Sequence, residues 1–277
     1  MKRNTLKSVF LAVLFAGCSL AGFLEPAHAG GGVIFAMAMA QDFPDVDSFR
    51  QFMVTKLGDV EVIKTSLYDT LLYPTAGNAA MNFFQNPIGQ GLSASPGNAN
   101  QPKALSDTNM TNAGSLPAPQ GFFVQSVEVD FEAGSVNTAN TFTPQTVASS
   151  AAAPAAATGI VQIGAINDAA AVLGSGSLQF NIGPKPYLQE APLYRFPPKC
   201  RFEVDAAFAG NSATTANFGA GKLKSGGRPY QLNPGLAIMT SQNFVVQLLW
   251  PVVVATPSGF NGRVRVILDG WLFRGVQ

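Results

Sequence analysis

Histidine is all but missing from this chain: its 277 residues hold one, His28, beside two cysteines, Cys18 and Cys200. Charged residues are sparse at 12%, and there are only two tryptophans. Each scarcity removes chemistry. His28 and Cys18 both fall in a leader-like N-terminus, so a chain starting after residue 29 keeps Cys200 alone. Such a chain has no Ser-His-Asp triad, no Cys-His pair and no imidazole metal ligand. One cysteine makes neither an internal disulfide nor a zinc knuckle. The formal charge of +1 gives no global positive field to draw nucleic acid. Beyond the N-terminal run, no stretch reaches the ~18 apolar residues of a membrane-spanning helix.

The N-terminus has three readings. Lys2, Arg3 and Lys7, an apolar run from Val9 to Leu24, and Ala27-His28-Ala29 before Gly30 make the pattern of a cleaved secretory signal. Phe15-Ala16-Gly17-Cys18 approximates the end of a lipoprotein signal. Met37-Ala38-Met39-Ala40 reads instead as a natural beginning, with the gene start placed too far upstream. Without the leader, Lys and Arg number 14 and Asp and Glu 15, so the net charge is 14 − 15 = −1.

What is abundant is Gly, Ala, Ser, Thr, Asn and Pro, which suits a β-rich chain with long turns. Residues 177–208 organise the reading. Leu178, Phe180 and Ile182 alternate with Gln179 and Asn181, and Phe202 and Val204 alternate with Arg201, Glu203 and Asp205. Period two puts apolar groups on one face of a strand. Between the runs, Pro184, Pro186, Pro192, Pro197 and Pro198 predict an extended, pre-ordered loop and exclude a helix or a central strand.

Residues 47–58 predict a helix covering a sheet edge. Ser48-Phe49-Arg50-Gln51 fits a capping box, Phe49, Phe52, Met53 and Leu57 keep helical spacing, and Gly58 ends it. Strands are predicted over 60–73, 81–84, 121–132, 160–166 and 244–254, and a last one over 263–273. Over 121–132, Phe123, Gln125, Val127, Val129 and Phe131 share one face. Asp269-Gly270 is a hairpin turn or a bulge. Asp168 caps a short helix through Leu173, closed by Gly174. Residues 86–119 and 210–227 read as loops, and 148–158 as an Ala-rich linker or loop tip. In all, about eight to ten strands with few helices argue against a parallel α/β sheet.

Several motifs invite chemistry and fail. Gly219-Ala220-Gly221-Lys222 lacks the leading Gly and the Ser or Thr of a phosphate loop. Asp42, Asp45 and Asp47 lack the Gly and closing Glu of a calcium loop, which leaves capping and solvation. Glu128, Asp130 and Glu132 alternate along one strand face, where a solvated or subunit-facing surface outweighs carboxylate catalysis. Arg263, Arg265, Arg274, Lys222, Lys224 and Arg228 make the C-terminal third basic. Phosphates, or acidic residues of a neighbouring subunit, would both satisfy them. Cys200 reads as a small core residue.

Some sequences in the chain resemble a known family. They are Tyr68-Asp69-Thr70-Leu71-Leu72-Tyr73-Pro74, Phe83-Phe84 with Ile88-Gly89-Gln90-Gly91, and Asp107-Thr108-Asn109-Met110 with Gly114, Leu116 and Pro117. Tyr187-Leu188-Gln189-Glu190-Ala191-Pro192-Leu193, Arg195-Phe196-Pro197-Pro198 and residues 266–277 continue the pattern. Together they are similar to major capsid proteins of tailless icosahedral bacteriophages, the double jelly-roll coats that often enclose a membrane. The resemblance covers most of residues 39–277. It implies two jelly rolls per chain, homotrimers of pseudo-hexagonal outline, a lattice around the genome, contacts with minor capsid or vertex proteins and with internal membrane lipid, and no sequence-specific nucleic-acid recognition. It also implies assembly in the host cytoplasm into a virion, which favours Met37 or Met39 as the first residue.

The expected fold is therefore all-β, an antiparallel jelly-roll sandwich with two jelly rolls in tandem and one short N-terminal helix. Residues 1–38 form the leader, 39–147 the first roll, 148–158 the linker and 159–277 the second. The expected function is a structural, self-assembling capsid protein, not an enzyme, with no catalytic, cofactor-binding or metal residues and no cofactor. The alternative is an exported periplasmic or surface β-sandwich binding protein.

Overall fold

Alternating side chains build most of what the computed structural model describes, residues 45–91, 102–133, 168–199, 227–257 and 259–275. In β4 (Ser177–Ile182), Leu178, Phe180 and Ile182 point inward and Gln179 and Asn181 outward. β7 (Phe244–Leu249) repeats this with Phe244, Val246 and Leu248. The remaining strands are β1 (Val60–Tyr73), β2 (Ala80–Phe83), β3 (Gln120–Ala133), β5 (Lys185–Glu190), β6 (Tyr230–Ile238) and β8 (Gly262–Gly275).

They form two four-stranded antiparallel sheets, ordered β1-β8-β3-β6 and β2-β7-β4-β5. The first strand pairs with the eighth, the second with the seventh, the third with the sixth and the fourth with the fifth. The path is that of one long hairpin doubled into two layers. Leu67, Leu71, Phe122, Val127, Val264 and Val266 of one sheet share a buried core with Met81, Phe83, Phe180, Phe244 and Val246 of the other. Each such side chain stabilises the fold by roughly 1.5–3 kcal/mol when fully buried.

This pairing runs across the expected tandem division. β1 and β3 lie before residue 148 and β6 and β8 after it, yet all four belong to one sheet. The described strands therefore make one sandwich drawn from both halves, within the unit Asp42–Gln277. Residues 1–41, 148–158, 160–166 and 201–208 lie outside the described residues.

Four local expectations also change. First, helix α1 (Val46–Leu57) is capped by Asp45, whose side chain accepts the Ser48 N–H at 2.7 Å, one turn earlier than the capping box implies. Gly58 closes it at φ 82°, as its place in the sequence suggests. The helix lies on a sheet face and not an edge. Phe49 packs on Phe123, Trp271 and Phe273 at ring separations of 5.0, 4.7 and 6.0 Å, and those residues belong to the inner strands β3 and β8.

Second, β3 does not keep one parity. A bulge between Val124 and Ser126 gives Phe122 and Val124 to the core before it, and Val127, Val129 and Phe131 after it. Phe123 thereby turns outward, beneath α1. The partner at this point is Gly270 in mid-strand, so Asp269-Gly270 makes no hairpin turn. A Cβ on Gly270 would stand 1.9 Å from the Phe123 carbonyl oxygen.

Third, the proline-rich connector holds a strand. β5 carries Pro186 and sits at the edge of its sheet, where a missing amide donor breaks no ladder on its open side. β6, which the sequence reading passes over, is likewise an edge strand and carries Pro234. Fourth, a second helix, α2 (residues 168–175), continues through Gly174, with Asp168 buried.

Candidate functional site

Among the described residues, the free edge of β1 carries a cluster of buried charge, Asp69, Lys103 and Asp107. An exposed edge is a template for unwanted pairing and has to be covered. Here residues 102–110 straddle it. Asn109 donates to the Ser66 carbonyl at 2.8 Å and accepts the Tyr68 N–H at 3.1 Å, so its side-chain amide imitates a strand. Thr108 bridges to Asp69, and its hydroxyl donates to the Tyr68 carbonyl at 3.1 Å. Tyr68 in turn donates its phenol to the Leu105 carbonyl at 2.6 Å.

On the inner side of this clamp, Lys103 reaches Asp69. Asp69 has the inward parity of Leu67, Leu71 and Tyr73, and both charged side chains are 0% exposed. The Lys103 Nζ lies 2.5 Å from Asp69 Oδ1, and the Phe84 N–H donates to Asp69 Oδ2 at 2.6 Å. Burial pushes the Asp69 carboxyl up against the pull of Lys103 and the Phe84 amide. Burial also pushes the Lys103 ammonium down, against the pull of Asp69 and Asp107. Both shifts favour the uncharged forms. On the outer side, Asp107 accepts from Arg263 at 3.2 Å and from the Ala104 N–H at 2.9 Å.

A second cluster sits on the outward face of the same sheet. Glu128 of β3 is 3% exposed and accepts the Lys199 N–H at 2.8 Å. The Lys199 ammonium bonds Asp269 of β8 and stands 3.6 Å from Glu128 Oε1. Burial raises the Glu128 carboxyl to about 7, and the Asp269 carboxyl reinforces the shift through its hydrogen bond and its charge. Lys199 is held above the usual lysine range: desolvation lowers it, but Asp269 and Glu128 more than offset that. Glu132 faces Arg265 at 3.8 Å, and Arg265 donates to the Thr70 hydroxyl at 3.1 Å. Arg274 bonds Glu61 at 2.6 Å. Arg263, Arg265 and Arg274 thus meet acids of their own chain. Lys222 and Lys224 lie outside the described residues, as do Asp42, Cys200, His28 and Gly219-Ala220-Gly221-Lys222. Asp45 does what the sequence reading assigned to it, capping.

The outward face of the other sheet is its opposite in character. Asn82, Gln247, Gln179 and Gln189 stand in register across all four strands β2, β7, β4 and β5. Gln247 donates to Asn82 at 2.9 Å, Asn181 to Gln247 at 3.3 Å, and Gln179 to Asn181 at 2.9 Å. The row carries amides and no charge. The alternation of Gln179 and Asn181 was legible in the sequence, but their alignment with Asn82 and Gln247 depends on register.

One concavity among the described residues is modest in size. A cleft of ≈ 270 Å³ is lined by Leu67, Asn109, Met110, Leu116, Gln120 and Leu272, and has no ionisable side chain in its walls. Among the described residues no group of three His, Cys, Asp or Glu is arranged to hold a metal ion, and no helix is long and apolar enough to cross a membrane. Comparison with protein-family models, characterised proteins and solved structures finds no match to this chain.

Proposed function

We infer that this chain is the coat protein of an icosahedral shell, a self-assembling jelly roll with no substrate to turn over. The observation that carries the reading is the strand order. A hairpin of four strand pairs rolled into two layers gives β1-β8-β3-β6 facing β2-β7-β4-β5, and two Greek keys closed face to face make the eight-stranded roll used by capsids, lectins and cupins. Fold alone does not choose among these. Two features favour a coat. The space between the sheets is filled by Phe83, Phe122, Phe180, Phe196 and Phe244, all fully buried, so the roll encloses side chains where a cupin would hold a ligand. The charge-free amide row offers a broad face that a neighbouring copy can meet without like-charge contact.

A single roll per chain, not a tandem pair, is the form this reading takes. Homotrimers in a lattice, with vertex proteins and an underlying membrane as further partners, are the assembly it proposes. The test is particle size. Native protein examined by sedimentation and electron microscopy should give trimers or larger shells. A monomer across a wide range of salt and pH would overturn the reading. The signal-like pattern of residues 1–29 favours a second one, an exported β-sandwich binding protein. N-terminal sequencing of the native protein separates the two. A start at Met37 or Met39 fits assembly in the cytoplasm, and a start at Gly30 or a lipidated Cys18 fits export.

A further inference from the structure

We propose that Lys103 and Asp69 are joined by an intramolecular amide bond, formed by the chain itself between Lys103 Nζ and Asp69 Cγ. Four observations converge on this pair. The nucleophile and the carboxyl are already in contact, with Nζ 2.5 Å from Oδ1, which removes most of the entropy of bringing them together. Both side chains are 0% exposed, so water is excluded from the reacting atoms. The Phe84 N–H sits 2.6 Å from Oδ2, where the negative charge of a tetrahedral intermediate would develop. That amide is aimed by an uncommon backbone: Phe84 holds φ at 69°, a left-handed conformation that a bulky side chain rarely adopts.

The clamp holds the partners still from both sides. The Lys103 N–H donates to the Gln90 carbonyl at 2.6 Å, and the Lys103 carbonyl accepts from the Gly89 N–H at 2.9 Å. Asp69 is fixed in β1 by its pairing with Val266 and by the bridge to Thr108. Phe83 and Phe84, both fully buried, supply the apolar neighbourhood.

The step balances without an oxidant or a co-reactant. The ammonium of Lys103 passes a proton to the Asp69 carboxylate across their contact, which leaves a free amine beside a carboxylic acid. Burial favours this uncharged pair, as the directions of both titrations indicate. The amine lone pair attacks Cγ, and Oδ2 takes up the negative charge under the Phe84 N–H. The amine proton moves to Oδ1, the Cγ–Oδ1 bond breaks, and one water leaves. Nζ–H and Cγ=Oδ2 remain as an amide. Expelling water from a dry site opposes hydrolysis of the product. Lys199 is the internal contrast. It also touches carboxylates, but its side chain is 49% exposed, so it stays a hydrated ammonium and an ion pair.

The link would join strand β1 to the segment that covers its edge, closing the ring of chain from Asp69 to Lys103. The test uses the full-length protein, purified folded and then denatured. Cyanogen bromide cuts after Met53, Met81 and Met110, which places Asp69 in fragment 54–81 and Lys103 in fragment 82–110. The expected result is one product with the summed mass of both fragments less one water, and an intact mass short by the same water. Lys103→Arg keeps the charge but cannot form the bond, and should release the two fragments separately. Separate fragments at their full masses from the unsubstituted protein would overturn the proposal, and that measurement needs no variant to fold.

Discussion

Glu128 shows how a single side chain can set a pH dependence. Its ordinary value is 4.5 and its folded value about 7, because burial and the neighbouring Asp269 disfavour its charge. Between those values the folded chain holds a proton that the unfolded chain has released. This contribution to stability is greatest toward pH 4.5, falls as the pH rises to about 7, and levels off above, with a change of at most about 3 kcal/mol, which solvent screening reduces. Glu128→Gln keeps a neutral side chain of the same shape and should flatten that part of the curve. Urea denaturation of both proteins at intervals across this window is the check, and equal slopes would remove the argument. The raised value was not legible in the sequence. Glu128 reads there as one of three carboxylates on a solvated or subunit-facing surface, and only the approach of Lys199 and Asp269, distant in the chain, buries it. Nothing local in the sequence marks Asp69 as the partner of Lys103.

At the scale of elements, periodicity predicted β4 well, because that strand keeps its alternation against one packed core. It failed where a neighbour interrupts the count. The bulge in β3 shifts parity by one residue, and Gly270 on β8 is what lets the two backbones approach there. Gly270→Ala would put a methyl group into the Phe123 carbonyl and force the strands apart, with an expected loss of about 3 kcal/mol or more; thermal unfolding would measure it, and an unchanged midpoint would mean the approach is looser than the distances require. β6 carries Pro234, which an edge strand tolerates because its open side needs no amide donor. The outward turn of Phe123 also explains what holds α1. Phe49 is 1% exposed in an aromatic nest that only the bulge creates. Phe49→Ala should cost about 3–5 kcal/mol and free the helix from the sheet. Hydrogen exchange would detect this as faster exchange across residues 46–57, with the core strands still protected.

For the whole molecule, the informative contrast is between the two outward faces. One carries Glu128, Glu132, Arg263, Arg265, Asp269 and Lys199, already paired within the chain and partly covered by α1. The other presents the row Asn82, Gln247, Gln179 and Gln189. A face that meets the same face of another copy across a two-fold axis of the lattice, between trimers and not within one, cannot rely on one sign of charge, because like charges would then oppose each other. Amides escape this constraint, since each carries both a donor and an acceptor and can pair with its own kind. The coat-protein reading therefore assigns the amide face to contact between copies. Gln247→Glu places one charge at the centre of the row, on a half-exposed position that the fold does not need buried. The folded chain should keep its thermal midpoint within about 0.5 kcal/mol, as surface substitutions usually do, while its assembly weakens and becomes dependent on salt, because raised ionic strength screens the repulsion. Light scattering at low and high salt would follow this. Particles of unchanged size at low salt would show that the amide face looks outward to solvent, and would move the contacts between copies to the loops and strand edges.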